Sequence, residues 1–183
     1  MKLYYFDVMG RGEAIRMALT HAKVDFEDIR LDKEKFTKLK ESDPSLFEFN
    51  VMPVLEDDGK KLSQSLAILR YVGNKYGYSG ADVHQNYLID SFFDAFGDLF
   101  QKFVKVHTAA TEEEKKQAGV ELATVHLPFF LGKFEARVAA NGKEGHFVGD
   151  KYTVADFHFG AFVSAIIYND AQPASAGLRP VFE

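Results

Sequence analysis

Two backbone features at about one third of the chain length could bind a ligand. Pro53 begins a predicted strand, and a cis Met52–Pro53 bond would leave the N–H and C=O groups of Met52 unpaired at a sheet edge. Such groups bind extended peptides by strand addition. A predicted helix begins shortly afterwards at Ser65, and the N–H groups at the start of a helix attract carboxylates. Together these features predict a site for a small acidic peptide.

The composition is that of a globular protein and excludes several classes of partner. The chain has 183 residues, 46% of them hydrophobic, and a net charge of −5, which suits one large or two small domains. It has no run of Lys and Arg long enough for a basic patch, which argues against nucleic acid. It also has no apolar run of ~20 residues and no signal-peptide core, so we expect a cytoplasmic protein without a membrane partner.

The chain contains no cysteine. A disulfide scaffold, a cysteine-based zinc site and any mechanism that uses a protein thiol are therefore excluded. The six histidines show no spacing typical of metal ligands, so we predict no metal site. Separately, we expect no permanently bound cofactor.

The first part of the chain alternates between strand and helix patterns. Strand-like runs at 3–6 and 26–31 flank a helical stripe at 13–22, which implies parallel strands and a right-handed crossover. Residues 33–50 are charged and irregular, with only a weak helical pattern. A hairpin turning at Asp58-Gly59 then leads into the helix from Ser65. This order is thioredoxin-like. Because the chain lacks the cysteine pair that normally follows the first strand of such a domain, we expect the fold to bind a thiol rather than supply one.

From residue 83 onward the pattern predicts helices only. The segments run from 83 to about 106, from 111 to about 140 and from 153 to about 168. Thr111 and Thr153 have the sequence of helix N-caps, and Pro128 marks an interruption. We predict an α/β plus all-α protein, with a thioredoxin-like N-terminal domain at 1–76, a linker at 77–82 and an all-helical C-terminal domain at 83–183.

Several short motifs, taken in order and at their spacing, resemble the cytosolic glutathione transferases, most closely the sigma class. The resemblance covers residues 2 to about 168, and each motif is weak by itself. The motifs are Tyr5-Phe6 before Gly10-Arg11-Gly12-Glu13, Met52-Pro53-Val54-Leu55, Gln64-Ser65-Leu66-Ala67-Ile68 through Arg70-Tyr71, Asp90 to Asp98, and Gly149 to Asp156.

The resemblance implies conjugation of glutathione, as a co-substrate, to small hydrophobic electrophiles. The thiolate is the nucleophile, and a thiol pKa near 8.5 leaves only about 3% thiolate at pH 7. In tyrosine-type members a tyrosine near the end of the first strand stabilises the thiolate, and the motif places this residue at Tyr5, with Arg11 near the thiol. Periodicity alone would favour an ordinary strand aromatic at Tyr5. Serine-type members of the family need a serine in the loop after the first strand, and residues 7–13 of this chain contain none.

Other contacts to glutathione follow from the same resemblance. The backbone of Met52, beside Pro53, would pair with the cysteinyl part. Gln64 and Ser65 would hold the γ-glutamyl carboxylate, and we also expect them to form a plain helix N-cap. Lys40 and Phe36 would flank the glycyl end, where the family usually has Trp in place of Phe36.

The resemblance also implies a second subunit and an electrophile pocket. Asp98 of a second subunit would reach the γ-glutamyl ammonium, which makes a homodimer part of the mechanism, although Asp98 also suits a solvated helix position. The electrophile pocket is expected at Phe6, Met9, Phe103, Val104 and His107. Family members usually continue for another helix or more past Phe182, so a more open pocket is expected.

Three functions stay open on the sequence. The first is glutathione conjugation, the second is glutathione-dependent isomerisation of the prostaglandin D type by the same thiolate, and the third is a non-catalytic carrier or structural role. Retention of the expected site residues favours an enzyme, whereas Phe36 and Val51 depart from the family pattern and keep the third function open.

Overall fold

The chain forms two compact units in a computed structural model, which describes residues 1–143 and 145–169. The first unit comprises Met1–Ser79 and Asp156–Ala165. The second comprises Gly80–Ala155 and the described residues from Ile166. The predicted tail element at 172–183 lies outside the described residues.

The first unit is built on a four-stranded mixed sheet in the order β2-β1-β3-β4. β1 is parallel to β2 and antiparallel to β3, and β3 is antiparallel to β4. The strands are β1 (Lys2–Phe6), β2 (Glu27–Leu31), β3 (Val54–Asp57) and β4 (Lys60–Ser63), and the helices are α1 (Glu13–His21), α2 (Lys33–Ser42) and α3 (Ser65–Tyr76). This order confirms the thioredoxin-like prediction.

Local sequence explains the turns of this unit. Asp58 and Gly59 have φ values of 50° and 75°, which is the left-handed geometry that a two-residue hairpin between β3 and β4 requires. Single 3₁₀ turns at Gly10–Gly12 and Pro44–Leu46 lead into α1 and follow α2.

Residues 33–42 form the regular helix α2, so the prediction of an irregular segment was wrong there. The missed signal is Asp32, whose side chain accepts a hydrogen bond from the Lys35 backbone N–H at 2.7 Å and caps the helix. α2 has no fully buried residue, which explains why its apolar stripe is weak. Its inner face is the half-buried pair Phe36 and Leu39.

The second unit is helical throughout its regular segments, as predicted. Its helices are α4 (Val83–Thr108), α5 (Glu112–Glu121) and α6 (Leu127–Asn141), and α7 (Val154–Phe162) begins in this unit and continues into the first. Thr111 forms the expected cap, and its capping box with Glu114 is complete. The interruption predicted at Pro128 is a π-helical stretch, Leu122–His126, which ends two residues before this proline.

Aromatic packing holds the helices of the second unit together. Phe92 of α4 lies 4.9 Å from Phe134 of α6 and 4.7 Å from Phe147, measured between ring centroids. Such edge-to-face and tilted ring pairs contribute beyond their buried area. Across the described part of the chain, no helix combines the length and apolar character needed to cross a membrane.

Candidate active site

Tyr5 lies one residue before the end of β1, with only 7% of its surface exposed. The backbone N–H of Arg11 donates a hydrogen bond to the Tyr5 hydroxyl oxygen over 2.9 Å. A phenol oxygen that accepts in this way keeps its own proton for donation to another acceptor. The loop therefore holds the Tyr5 hydroxyl in place, with its proton available for donation.

Two glycines of the loop after β1 lie directly against Tyr5. A Cβ atom at Gly12 would lie 2.6 Å from Tyr5 Cδ1, and one at Gly10 would lie 2.7 Å from the Tyr5 hydroxyl oxygen. Gly10 also has a φ of +41°, where a side chain is strained. The spacing Gly10-x-Gly12 is thus required by the close approach of the loop backbone to Tyr5.

Tyr4, the neighbour of Tyr5, has a different partner. Its hydroxyl donates to Glu56 Oε2 at 3.3 Å. Burial, together with the nearby charge of Glu56, raises the pKa of Tyr4. The two adjacent hydroxyls therefore have different partners: the loop backbone binds that of Tyr5, and Glu56 accepts from that of Tyr4.

A hydrophobic cluster joins Tyr5 to the segments expected to bind glutathione. Its buried members are Tyr4, Tyr5, Leu31, Leu46, Phe47, Met52 and Val54, with Phe6, Ile29, Phe36 and Leu39 packed against them. Phe36 meets Phe6 edge to face at 5.8 Å between ring centroids. Lys40 Nζ lies 5.5 Å from the centroid of the Phe36 ring. The structure therefore brings β1, α2 and the segment before β3 together.

The Met52–Pro53 peptide bond is cis, as the sequence suggested. Val54 is the first residue of β3 that pairs with β1, and it is also the first that pairs with β4. The backbone of buried Met52 therefore lies just outside both ladders.

The start of α3 differs from the expected plain N-cap. Gln64 precedes the helix with φ 71° and ψ 110°, and its side chain makes no capping hydrogen bond. The prediction that Gln64-Ser65 forms an ordinary N-cap was therefore wrong. Such a backbone conformation is uncommon for a residue with a side chain and is typical of functional sites. The Gln64 side chain does not cap the first N–H groups of α3, and the N–H groups at a helix start are suited to a carboxylate from a ligand.

Two polar residues of the first unit were not singled out by the sequence, Arg16 and His158. Arg16 of α1 is 5% exposed, and its guanidinium carbon lies 5.7 Å from the centroid of the Tyr5 ring. Burial lowers the pKa of His158 in α7 to about 4, and the charges of Arg11 and Arg70 act in the same direction. The His158 imidazole is therefore neutral at physiological pH.

The other predicted residues lie in separate units. In the first unit Phe6 is half-buried and Met9 is exposed. On α4 of the second unit, Phe103 is buried, Val104 is half-buried, and His107 and Asp98 are exposed. The electrophile pocket and the role of Asp98 stay predictions.

Two protein-family models match most of the chain. These are the glutathione S-transferase N-terminal domain over residues 1–74 and the glutathione S-transferase C-terminal domain over residues 97–180. A glutathione S-transferase of Anopheles gambiae is 36% identical over 167 residues, which cover 91% of this chain and 79% of the relative.

Two solved structures have a fold similar to that of this chain. Prostaglandin synthase D of Nilaparvata lugens has a TM-score of 0.80 at 31% identity, over 98% of this chain and 88% of that structure. A monomeric glutathione S-transferase of the hookworm Necator americanus has a TM-score of 0.77 at 31% identity, over 98% and 89% of the two chains.

A thioredoxin-like unit followed by an all-helical unit, matched by both family models, defines a glutathione-dependent transferase. The chain belongs to the glutathione S-transferase family. Within this family it is sigma-like, and glutathione is the co-substrate of the family.

Proposed function

We propose that the protein conjugates glutathione to small hydrophobic electrophiles by means of a thiolate that Tyr5 stabilises. The observation that carries this proposal is the Tyr5 hydroxyl, which accepts the Arg11 N–H and keeps its proton for the sulfur. On binding, the thiol loses its proton to water, and the hydroxyl donates a hydrogen bond to the resulting thiolate. The sulfur electron pair then attacks the electrophilic carbon, and any leaving group departs with its bonding pair.

The energy required is within reach of such a hydroxyl. Lowering a thiol pKa from about 8.5 to about 6.5 corresponds to ~2.7 kcal/mol of differential stabilisation. A hydrogen bond to a charged group contributes about 1.5–3 kcal/mol. One aligned hydroxyl is therefore of the strength required, and Arg11, on the loop whose backbone binds this hydroxyl, carries a further positive charge.

The proposed glutathione site uses backbone groups for the peptide and charges at its two ends. The backbone of Met52, beside cis Pro53, pairs with the cysteinyl residue. The start of α3, at Gln64 and Ser65, receives the γ-glutamyl carboxylate. Lys40, above the Phe36 ring, supplies a cation for the glycyl carboxylate.

The experiment that tests the proposal is an ultraviolet titration of the glutathione thiolate bound to the protein. We expect a bound thiol with a pKa about two pH units below the value of about 8.5 for an ordinary thiol. Binding with an ordinary thiol pKa would instead support a carrier that no longer catalyses. No binding at all would support a structural role.

A second candidate is glutathione-dependent isomerisation. It is favoured by the similarity to prostaglandin synthase D of Nilaparvata lugens, and it would use the same thiolate. Turnover of a prostaglandin H-type endoperoxide without net consumption of glutathione would identify it, whereas stoichiometric loss of glutathione with a simple aryl halide would identify conjugation.

We further propose a homodimer in which the exposed Asp98 of α4 reaches the γ-glutamyl ammonium of its partner. A hookworm relative of similar fold is monomeric, so the oligomeric state of this chain is a direct test. We expect sedimentation to show a dimer at micromolar concentration. We also expect Asp98→Asn to weaken glutathione binding severalfold, as the loss of one charge-assisted contact should. A monomer under these conditions would contradict the role of Asp98.

A further inference from the structure

Arg16 of α1 binds the backbone at the start of the β1–α1 loop, defined here as residues 7–12. Its guanidinium donates to the carbonyl oxygen of Val8 at 2.9 Å and to that of Phe6 at 3.4 Å. A longer contact of 3.5 Å reaches the carbonyl oxygen of Met9. One side chain thus holds three backbone groups in or next to this loop.

Two carboxylates fix the guanidinium itself. Arg16 Nε lies 3.0 Å and 3.1 Å from the two carboxylate oxygens of Asp28 on β2, and Nη1 donates to Glu13 at 3.0 Å. Because buried charges are tolerated only when they are paired and hydrogen-bonded, these contacts explain how an arginine can be 5% exposed.

The same guanidinium lies against the Tyr5 ring, at 5.7 Å from its centroid. This is the range of a cation–π contact. The loop that Arg16 holds also carries Arg11, whose N–H binds the Tyr5 hydroxyl. Arg16 therefore contacts the ring of Tyr5 and the same loop whose Arg11 N–H binds the Tyr5 hydroxyl.

We propose that Arg16 is a positioning residue that holds the Tyr5 ring and the β1–α1 loop in the geometry that aims the Tyr5 proton at the bound thiol. This inference rests on the proposed thiolate mechanism. Lysine cannot take over the role, because a compact ammonium on a flexible stem lacks the planar fork that reaches Asp28 and the loop carbonyls together.

The test is the pH profile of the bound thiol in Arg16→Lys, measured by thiolate absorbance and by kcat/KM. We expect the apparent thiol pKa to rise by about one pH unit, which is the effect of losing about one hydrogen bond. At the acidic end this leaves roughly tenfold less thiolate than in the wild type. A merely structural role would lower the unfolding midpoint while leaving the thiol pKa of the folded protein unchanged.

Arg30→Lys is the matched control. Arg30 also binds Asp28, with its Nε 2.8 Å from Oδ2, but its side chain is 44% exposed and its other carboxylate partner is Asp7. It contacts the same carboxylate from the solvent side. We expect its replacement to leave the thiol pKa as in the wild type, and an equal shift in both variants would overturn the specific role of Arg16.

Asp28→Glu provides a second variant if Arg16→Lys does not fold. It keeps every charge but moves the carboxylate that fixes Arg16 Nε, so a smaller upward shift of the thiol pKa is expected. An unchanged thiol pKa in the folded variants overturns the positioning role alone, while the proposed function stands. A wild type that binds glutathione without lowering the thiol pKa overturns the proposed function and this inference together.

Discussion

Tyr5→Phe is expected to return the pKa of the bound glutathione thiol to about 8.5, which leaves roughly 50-fold less thiolate at pH 6.5 than a site with a thiol pKa near 6.5. The substitution removes only the hydroxyl that receives the Arg11 N–H. Glutathione should still bind, because its proposed binding groups are the Met52 backbone, the start of α3 and Lys40. Thiolate absorbance of the complex, recorded from pH 5 to pH 9, measures the effect.

The pH dependence of turnover gives the same prediction a second readout. The loss of kcat/KM should be greatest at the acidic end, where the wild type alone holds thiolate, and should fade above a pH of about 8.5. A more basic thiolate is also a better nucleophile, which reduces the loss in rate below the loss in thiolate. A loss of equal size at every pH would contradict thiolate stabilisation as the role of Tyr5.

Tyr4→Phe is the matched control for this experiment. It removes a phenol hydroxyl from the adjacent residue of the same strand, where the donor bond goes to Glu56 at 3.3 Å. Both rings are almost fully buried, so the two variants lose similar packing. Only Tyr5→Phe should shift the thiol pKa, and a shift in Tyr4→Phe would indicate a general disturbance of β1.

The sequence predicted the strands and most of the helices because their signals are local. The alternation in β1 and β2 and the turn at Asp58-Gly59 each depend on neighbouring residues. α2 was missed because its inner face is only half-buried and its start depends on the cap at Asp32. The backbone geometry of Gln64 was also beyond the sequence, since a residue with a side chain at φ 71° goes against its own preference.

The candidate site could be predicted only in part. The motif located Tyr5, but it did not reveal why Gly10 and Gly12 accompany it, since the reason is a close approach in three dimensions. The sequence did not single out Arg16, because a charged residue beside the apolar stripe of a helix is expected to face the solvent. Three of its partners are backbone carbonyls, which have no signature in the sequence.

The largest effect on stability outside the site is expected from Asp57→Asn, at the end of β3. Asp57 is 3% exposed and accepts hydrogen bonds from the Tyr71 hydroxyl, at 2.6 Å, and from Lys75 Nζ. Both donors lie on α3, so this carboxylate ties the hairpin to the helix. Asparagine keeps the shape but loses the charge, and we expect a loss of about 2 kcal/mol in the free energy of unfolding at pH 7.

The same substitution should change how stability depends on pH. Burial alone would raise the pKa of Asp57, but the hydrogen bonds from Lys75 and Tyr71 and the charge of Lys75 outweigh it and lower the pKa. The carboxylate therefore stabilises the fold above its unfolded pKa of about 3.9, and this contribution is lost as the pH falls through the lower folded value. Urea unfolding of both proteins should show a difference that is full at pH 7 and shrinks in strong acid.

Asp58→Asn makes this prediction specific. The Asp58 side chain is 89% exposed and its carboxylate lies 4.0 Å from Lys75 Nζ, so it shares the cation but not the burial. Asparagine tolerates the φ of 50° at this turn position, and we expect a change within about 0.5 kcal/mol. Equal losses in the two variants would mean that Lys75 acts as a general surface charge. A loss confined to Asp57 would mean that the buried carboxylate holds α3, and with it the proposed carboxylate site at Ser65, against the sheet.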